Sequence, residues 1–431
     1  MTKSANSNPP VGGKRAILMV CDGLRRDLIT PQHAPTLSRL AGEWCNFKSH
    51  TSVFPSTTRV TSASIATGCL PARHGLAGNT MALDEGEGLV CRNAGEPDFR
   101  DRMRRATGQT LRVPTLAQRL AGRGGSIVYS NVSPGAAYFQ DPDGYGYVYH
   151  PSGAFGPGLE PLPESDWLRI EKGVAGDQVM TARFCEEVLR IRRPALSVLW
   201  LSEPDHTGHH TPLGSPAHRE AIAGADACVA KVAAAVEALD PAWQDTLMIV
   251  CSDHGHETGE SEVHIEELLV AAGLKESLAS SDVVVAPNGS AALIYMSEHA
   301  AARREELIGY LQTQEWVGRL YAGPELAEVG LETDTALAVA IDMGKSDRVN
   351  EYGVPGYSYL AHNAMAGKDY TGLGQHGGLG AYEQQPFLFA RGGDIPRRKE
   401  VDRPSAPVDI APTIARHLGL PQDGMDGKPL V

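Results

Sequence analysis

The chain has 431 residues, a formal net charge of −13 at pH 7, 42% hydrophobic residues and 21% charged residues. This composition is ordinary for a globular protein and excludes an intrinsically disordered chain. The length suits one large domain with insertions or two to three smaller domains. The acidic balance disfavours a nucleic-acid polymer or an anionic membrane as the main partner, so an anionic substrate would need local positive charge in its site.

The sequence also predicts a cellular compartment. Residues 1–15 form a polar N-terminal tail that lacks the apolar segment of a secretory signal, and no segment resembles a membrane span. The seven cysteines are irregularly spaced, which indicates reduced thiols rather than a disulfide framework. These features predict a cytoplasmic protein with no membrane partner. They leave open whether it forms a homodimer.

Short β-rich apolar segments alternate with helical stretches along the chain. Strands are predicted at residues 16–21, 127–129, 195–201 and 247–251, and each ends abruptly at polar residues. Helices are predicted at residues 35–41, 114–121, 178–191 and 216–239. Near-continuous apolar strands that alternate with helices are typical of a parallel sheet covered on both faces. The fold class is therefore α/β.

Two regions interrupt this alternation. Residues 84–110 are charged and lack periodicity, which predicts a loop or small excursion. Residues 257–372 are predicted to form an inserted α+β cap, with strands at 283–286, 291–296 and 337–341 and a helix at 301–312. A late core strand (387–390) and a final helix (407–418) follow. The main domain thus comprises residues 16–256 and 373–431.

Carboxylate and imidazole side chains occur at or near several predicted strand ends. The six side chains are Asp22, Asp205, His209, Asp253, His254 and His376. Because ligands of open α/β sheets bind at the carboxyl ends of the strands, we expect the strand-end residues to converge. Carboxylate and imidazole are ligands of zinc and similar ions, and six are too many for one tetrahedral ion but enough for two. Each residue alone could instead cap a helix, form a turn or make an ordinary hydrogen bond.

A cluster of hydroxyl residues precedes the predicted helical stretch 59–66. Proline at position 55 and the hydroxyls of Ser56, Thr57 and Thr58 are typical of a helix N-terminus. A metal could activate a hydroxyl there as a nucleophile, and the helix N-terminus favours an incoming phosphate. The alternative is that Thr57 or Thr58 only caps the helix.

Several segments share a family pattern, in order from about residue 16 to residue 419. They are Val20-Cys21-Asp22-Gly23, Phe54-Pro55-x-x-Thr58, Ala66-Thr67-Gly68-x-x-Pro71-x-x-His74-Gly75, Glu203-Pro204-Asp205-x-x-Gly208-His209, Ser252-Asp253-His254-Gly255, His376-Gly377-Gly378 and Val408-Asp409-Ile410-Ala411-Pro412-Thr413. Together they resemble the alkaline phosphatase superfamily, and within it the nucleotide pyrophosphatase/phosphodiesterase and phosphonoacetate hydrolase branch. The resemblance covers nearly the whole chain except the cap. It implies a three-layer α/β/α sandwich with an inserted cap.

The resemblance also implies a mechanism with two divalent metal ions, for which zinc is the expected metal. Asp205, His209 and His376 would hold one ion. Asp22, Asp253 and His254 would hold the other, together with the Thr58 oxygen. Thr58 would attack phosphorus and form a phospho-threonine intermediate that water then hydrolyses.

The substrate prediction depends on Asn79, which lies 21 residues after Thr58. It resembles the asparagine that binds a nonbridging phosphoryl oxygen in this branch, and a neutral amide suits a phosphodiester or nucleotide pyrophosphate. Asn79 could also be a simple turn residue. Phosphonoacetate hydrolases carry a lysine pair soon after the strand matching 127–129, which this chain lacks. A C–P bond hydrolase, a phosphomonoesterase and a non-catalytic binding protein of the same fold are the alternatives.

Several further residues are weaker candidates for the site. The aromatic residues Tyr138, Phe139, Tyr145 and Tyr147 could stack on a leaving group or pack within a loop. His206, His210, His256 and His264 lie near the predicted ligands. Cys69 begins a C-x-P-x-R motif of the kind that sulfatases convert to formylglycine. It follows Thr67-Gly68, whereas the converted residue of sulfatases precedes that pair, so a sulfatase is disfavoured.

Overall fold

The computed structural model describes residues 13–365 and 367–431. Residues 1–12, most of the predicted polar tail, lie outside the described residues. An eight-stranded sheet forms the centre of the molecule. Its strands, in spatial order, are β18 (Lys399–Val401), β2 (Cys45–Phe47), β17 (Leu388–Arg391), β8 (Thr246–Cys251), β1 (Arg15–Cys21), β7 (Leu196–Leu201), β5 (Ser126–Ser130) and β6 (Tyr147–Tyr149). Among the described residues, no helix has the length and apolar character needed to cross a bilayer.

The middle of this sheet is parallel, as predicted. Strands β8, β1, β7, β5 and β6 run in one direction, and β17 runs against both of its neighbours. Cys21 pairs with Leu201, and Val20 pairs with Cys251. The three central strands therefore end almost level, which brings the residues that follow them to the same edge of the sheet.

Helices cover both faces of the central sheet, so the predicted three-layer fold is confirmed. One face packs against α1 (Pro35–Glu43), α7 (Val174–Arg183) with its π-helical continuation Phe184–Arg192, and α9 (Pro216–Leu239). The other packs against α2 (Thr58–Thr67), α5 (Leu116–Arg119), α6 (Pro134–Tyr138) and α12 (Ile410–Leu418). Successive residues of β1 alternate between the two cores, with Leu18 in one and Met19 in the other.

Strands of the region predicted as the cap form two smaller sheets, and a short strand just beyond residue 372 completes the second. The first has the order β10 (Val283–Pro287), β11 (Ala291–Met296), β13 (Leu337–Met343) and β12 (Val317–Ala322). The second has the order β14 (Lys345–Val349), β15 (Pro355–Ala361), β9 (Glu257–Val263) and β16 (Gly374–Gln375). Helices α10 (Ile265–Ala271) and α11 (Arg304–Gln312) accompany them. The boundaries of the inserted region stay a prediction.

Residues 84–110 contain more regular structure than the sequence indicated. Strand β4 (Leu89–Asn93) pairs with β3 (Thr80–Asp84), and α4 (Phe99–Thr107) follows. Helix α4 buries only two apolar side chains, Phe99 and Met103, and its other positions are mostly charged. A nine-residue helix with only two buried apolar side chains has little apolar content by which the sequence could reveal it. The remaining short helices are α3 (Pro71–His74) and α8 (Asp205–Gly208).

Candidate active site

The three predicted aspartates meet at the carboxyl edge of the central sheet. Asp22 follows β1 directly, Asp253 lies two residues after β8, and Asp205 opens α8 after β7. Two hydrogen bonds from main-chain N–H groups link them. The Asp205 N–H donates to the Asp22 carbonyl oxygen at 3.1 Å, and the Gly23 N–H donates to Asp253 Oδ1 at 3.1 Å. The convergence expected from the strand ends is therefore present.

Asp22, Asp253 and His254 form one buried group, which we call the Asp22 cluster; one ligand atom from each lies within 4.8 Å of the others. His254 Nε2 lies 3.1 Å from Asp253 Oδ2 and 3.5 Å from Asp22 Oδ1. The Thr58 hydroxyl oxygen lies 3.2 Å from the same nitrogen. The Trp200 indole N–H donates to Asp22 Oδ2 at 2.8 Å, which leaves Oδ1 facing the cluster.

Asp205, His209, His256 and His376 form a second group, the Asp205 cluster, whose ligand atoms also lie within 4.8 Å of one another. The three imidazole Nε2 atoms surround Asp205 Oδ1, at 3.2 Å for His209, 3.0 Å for His256 and 3.6 Å for His376. Asp205, His209 and His376 were predicted to share an ion. His256 was only a weak candidate, because its position three residues after Asp253 does not reveal where its ring points.

The donor set of both clusters fits divalent cations. Asp22 Oδ1, Asp205 Oδ1 and Asp253 Oδ2 are buried and have no hydrogen-bond partner among the described residues. Unpartnered carboxylate oxygens are costly unless a cation neutralises them. Histidine nitrogen and carboxylate oxygen are ligand atoms suited to zinc. The ligand roles themselves stay a prediction.

The pKa values in the clusters reflect burial and mutual repulsion. Burial, followed by the charges of Asp253 and Asp205, raises the pKa of Asp22 well above its usual range. Burial and the neighbouring His254 lower the pKa of His376 well below its usual range. Buried carboxylates that lie close together without a neutralising charge resist ionisation. A bound cation would lower the pKa of Asp22 again.

Thr58 is the first residue of α2, and Thr57 is its N-cap. The Thr57 side chain makes no capping hydrogen bond, so neither threonine hydroxyl acts as a simple cap. The Thr58 hydroxyl instead faces the Asp22 cluster. A hydroxyl at that position, next to a helix N-terminus, can meet an incoming phosphoryl group.

Asn79 lies beside Thr58 although it is not on the same element. Its side-chain oxygen accepts the backbone N–H of Arg59 at 3.1 Å. The amide oxygen is thus occupied, and the amide NH₂ is the group that Asn79 can offer to a ligand. Thr58 and Asn79 line the same cleft, which has a volume of about 360 Å³.

Three further residues of this cleft were not predicted from the sequence. Arg59 is held there by bonds from its Nε to Ser133 Oγ at 3.0 Å and from its Nη1 to the Asn79 carbonyl oxygen at 3.2 Å. Burial lowers the Arg59 pKa to about 10, which still leaves it charged at neutral pH. Lys172 is exposed at the cleft, and Tyr370 packs edge-on against His209 with ring centroids 5.6 Å apart. No spacing in the sequence links these residues to the predicted ligands.

Comparison with known proteins identifies the family. Residues 16–378 match the sequence profile of the type I phosphodiesterase / nucleotide pyrophosphatase family. The chain belongs to this family. Type I phosphodiesterases / nucleotide pyrophosphatases are metal-dependent hydrolases, in agreement with the two clusters of metal-ligand residues. The chain matched none of the curated proteins.

Solved structures show the same fold. Murine ectonucleotide pyrophosphatase/phosphodiesterase 5 is 18% identical, with a TM-score of 0.67 over 96% of this chain and 98% of that chain. Its human counterpart is 15% identical, with a TM-score of 0.66 over 96% and 97% of the two chains. Phosphonoacetate hydrolase from Sinorhizobium meliloti, in complex with phosphonoformate, is 18% identical, with a TM-score of 0.64 over 94% and 95%. The alkaline-phosphatase-like α/β/α fold is therefore confirmed.

The aromatic candidates do not line the cleft formed by the described residues. Tyr138 and Phe139 are buried in hydrophobic cores, and the Tyr147 ring stacks on Tyr149. Tyr145 is 38% exposed but lies away from the cleft. Packing, which was the alternative to stacking on a leaving group, accounts for their positions, although Tyr138 and Phe139 pack in cores and not within a loop.

The remaining candidates divide into two groups. His206 and His210 line the cleft, whereas His264 is exposed outside it and stacks on His362. Cys69 is buried, and its Sγ lies 3.2 Å from the Gly424 carbonyl oxygen, away from the cleft. Its position agrees with the prediction against a sulfatase-type site.

Proposed function

We propose that this type I phosphodiesterase family member hydrolyses phosphodiesters through two divalent metal ions, most suitably zinc, and a phospho-Thr58 intermediate. The observation that carries the proposal is the 3.2 Å distance between Thr58 Oγ1 and His254 Nε2 at the edge of the Asp22 cluster. A hydroxyl at a helix N-terminus beside a cation site has the surroundings of an activated nucleophile.

Two sets of ligands support a dinuclear centre. Asp22, Asp253 and His254 would hold one ion beside Thr58. Asp205, His209 and His376 would hold the other. Bound as a pair, such ions stabilise the negative charge on the attacking and leaving oxygens of an in-line displacement.

The reaction would then proceed in two steps. The Thr58 hydroxyl loses its proton and its oxygen attacks phosphorus, while the leaving alkoxide departs with its bonding electrons and takes up a proton, so that a phospho-threonine remains. A water molecule then attacks this phosphorus and gives up a proton, and the departing Thr58 oxygen takes up a proton as the product is released. The Asn79 amide NH₂ would donate to a nonbridging phosphoryl oxygen, which carries more charge as each transition state forms, while the Asn79 side-chain oxygen accepts the Arg59 N–H of the first turn of α2.

The residues that line the cleft favour a diester substrate with a polar or aromatic leaving group. Asn79 is neutral, which suits a phosphoryl group that carries a single negative charge. Tyr370 and Leu360 offer apolar surface, and Arg59 and Lys172 offer positive charge. An inactive variant of the murine ectonucleotide pyrophosphatase/phosphodiesterase 5 has been solved in complex with AMP, a phosphomonoester of the kind that hydrolysis of a nucleotide phosphodiester would release.

A C–P bond hydrolase is the second candidate, and Lys172 favours it. The sequence lacks the expected lysine pair after β5, but Lys172 reaches the same cleft from the segment before α7. It supplies one cation that could pair with a substrate carboxylate. A solved phosphonoacetate hydrolase holds phosphonoacetate and shares the fold.

A substrate panel on the purified, metal-analysed protein separates these functions. We expect bis(p-nitrophenyl) phosphate to have a higher kcat/KM than p-nitrophenyl phosphate or phosphonoacetate. A preference for phosphonoacetate would assign the C–P hydrolase, and a preference for the monoester would assign a phosphomonoesterase. Bound metal with no turnover of any compound would indicate a non-catalytic binding protein.

A further inference from the structure

We propose that His256 is a fourth protein ligand of the ion in the Asp205 cluster, in addition to Asp205, His209 and His376. The inference rests on the proposed two-metal function, because it concerns how one of the two ions is held. It assigns a role to a residue that neither its sequence position nor the family match identifies.

The hydrogen bonds of the His256 ring define its protonation. Its Nδ1 lies 2.9 Å from the carbonyl oxygen of Gly23. A carbonyl oxygen only accepts, so Nδ1 carries the hydrogen and Nε2 of the neutral ring presents a lone pair. Nε2 is buried, has no hydrogen-bond partner among the described residues, and lies 3.0 Å from Asp205 Oδ1. Two acceptors at this separation need a shared cation between them.

The two predicted ligands in this cluster have the same arrangement. His209 Nδ1 lies 2.8 Å from the Gly374 carbonyl oxygen, and His376 Nδ1 lies 2.8 Å from the Ser56 carbonyl oxygen. In each ring the backbone carbonyl fixes Nδ1–H and directs Nε2 towards the common centre. This second bond is typical of metal-binding histidines, because it fixes both the tautomer and the ring orientation.

The local backbone places the His256 ring at the centre. Gly23 has φ +68° and a Cβ built on it would lie 2.2 Å from His256 Cε1. A side chain at position 23 would therefore displace the ring. After β8, His254 turns to the Asp22 cluster and His256 turns to the Asp205 cluster, with their ring centroids 5.6 Å apart. The segment that follows one strand thus contributes to both clusters.

A fourth ligand changes the chemistry of this ion. Three imidazoles and one carboxylate complete a tetrahedral set, whereas metal sites that bind substrate usually have three protein ligands and an open position. We therefore expect this ion to be held more tightly than its partner and to become five-coordinate when a substrate oxygen binds. A proton shared between His256 and Asp205 is the rival explanation of their close approach.

Metal analysis of His256→Gln distinguishes the ligand from the rival. After dialysis against a series of chelators of increasing affinity, we expect the wild-type protein to release the ion of the Asp22 cluster first and to retain the ion of the Asp205 cluster. We expect the variant to bind the retained ion more than about a hundredfold more weakly, because loss of a residue that only hydrogen-bonds to a ligand costs about tenfold to a hundredfold. After cobalt substitution, we expect the visible absorption of the variant to change, since the coordination number changes. His417→Gln is the matched control, because this buried histidine lies at the opposite edge of the sheet, beside Arg15.

A crystal of wild-type protein grown with zinc provides a readout that needs no variant. We expect the anomalous peak in the Asp205 cluster at about 2.0–2.1 Å from His256 Nε2. A peak beyond bonding distance from this atom, or wild-type affinity and cobalt spectrum in His256→Gln, would overturn the inference while leaving the two-metal proposal intact. Wild-type protein that binds no divalent ion at all would overturn both.

Discussion

The side-chain oxygen of Asn288 accepts the backbone N–H of Asn79 at 2.6 Å and that of Thr80 at 3.2 Å. The Asn288 amide NH₂ in turn donates to the Thr80 carbonyl oxygen at 3.1 Å. Asn288 is buried and follows β10 in the predicted cap, whereas Asn79 precedes β3. A residue of the region predicted as the cap is therefore bonded to the segment that carries Asn79, and we expect Asn288 to act as a positioning residue.

Loss of the Asn288 side chain should move Asn79 and slow the chemical step. In Asn288→Ala we expect kcat for bis(p-nitrophenyl) phosphate to fall about tenfold to a hundredfold, with little change in KM, because small misplacements of a transition-state donor are costly. Asn288→Asp keeps an oxygen that can accept the Asn79 N–H and should recover part of the rate. Equal kcat in wild type and Asn288→Ala would show that this bond does not matter for turnover.

Thr58→Ala should lower kcat by several orders of magnitude, since no other group supplies the attacking oxygen. Metal content should stay close to that of wild type, because the carboxylates and imidazoles of both clusters remain. Thr61→Ala is the matched control: this buried threonine lies one turn along α2 and does not line the cleft. Wild-type turnover in Thr58→Ala would remove the covalent step.

Lys172→Ala tests which substrates use the exposed cation of the cleft. We expect KM for phosphonoacetate, which carries a second anionic group, to rise about fivefold, as is typical for an exposed charge contact. KM for bis(p-nitrophenyl) phosphate should change less. Lys231→Ala, an exposed lysine of α9 outside the cleft, serves as the control. If both KM values rise equally, Lys172 attracts anions in general and does not select between substrates.

His74 should make the protein sensitive to acid. Its Nδ1 accepts the Leu76 N–H at 3.1 Å, its Nε2 lies 3.0 Å from Ser64 Oγ, and burial lowers its pKa to about 3 from 6.5. The unfolded chain takes up the proton first, so this stabilisation is present above pH 6.5 and is lost as the pH falls towards the folded value. Between pH 7 and pH 5 we expect the free energy of unfolding to fall by about 2 kcal/mol more in wild type than in His74→Asn.

Urea denaturation at the two pH values measures this difference. If the free energy of unfolding falls equally in wild type and in His74→Asn, the pKa of His74 does not differ between the folded and unfolded states.

The sequence predicted the central fold and the Asp22 cluster because both follow from strand ends. The apolar strands stop almost level, so Asp22 and Asp253 had to meet once the sheet was parallel. Lys172 could not be found in this way, since it lies in an irregular segment whose path depends on tertiary packing. His256 illustrates the same limit, because the direction of a side chain in a turn is not encoded by spacing. Zinc as the metal and the cytoplasmic location remain predictions.

The stereochemical course of hydrolysis tests the central claim, a covalent Thr58 intermediate, most directly. A diester that is chiral at phosphorus, such as a phosphorothioate, would be hydrolysed in ¹⁸O-labelled water and the configuration of the product determined. Two in-line displacements, first by Thr58 and then by water, predict net retention. Net inversion would mean that water attacks the substrate in a single step, and it would contradict the account.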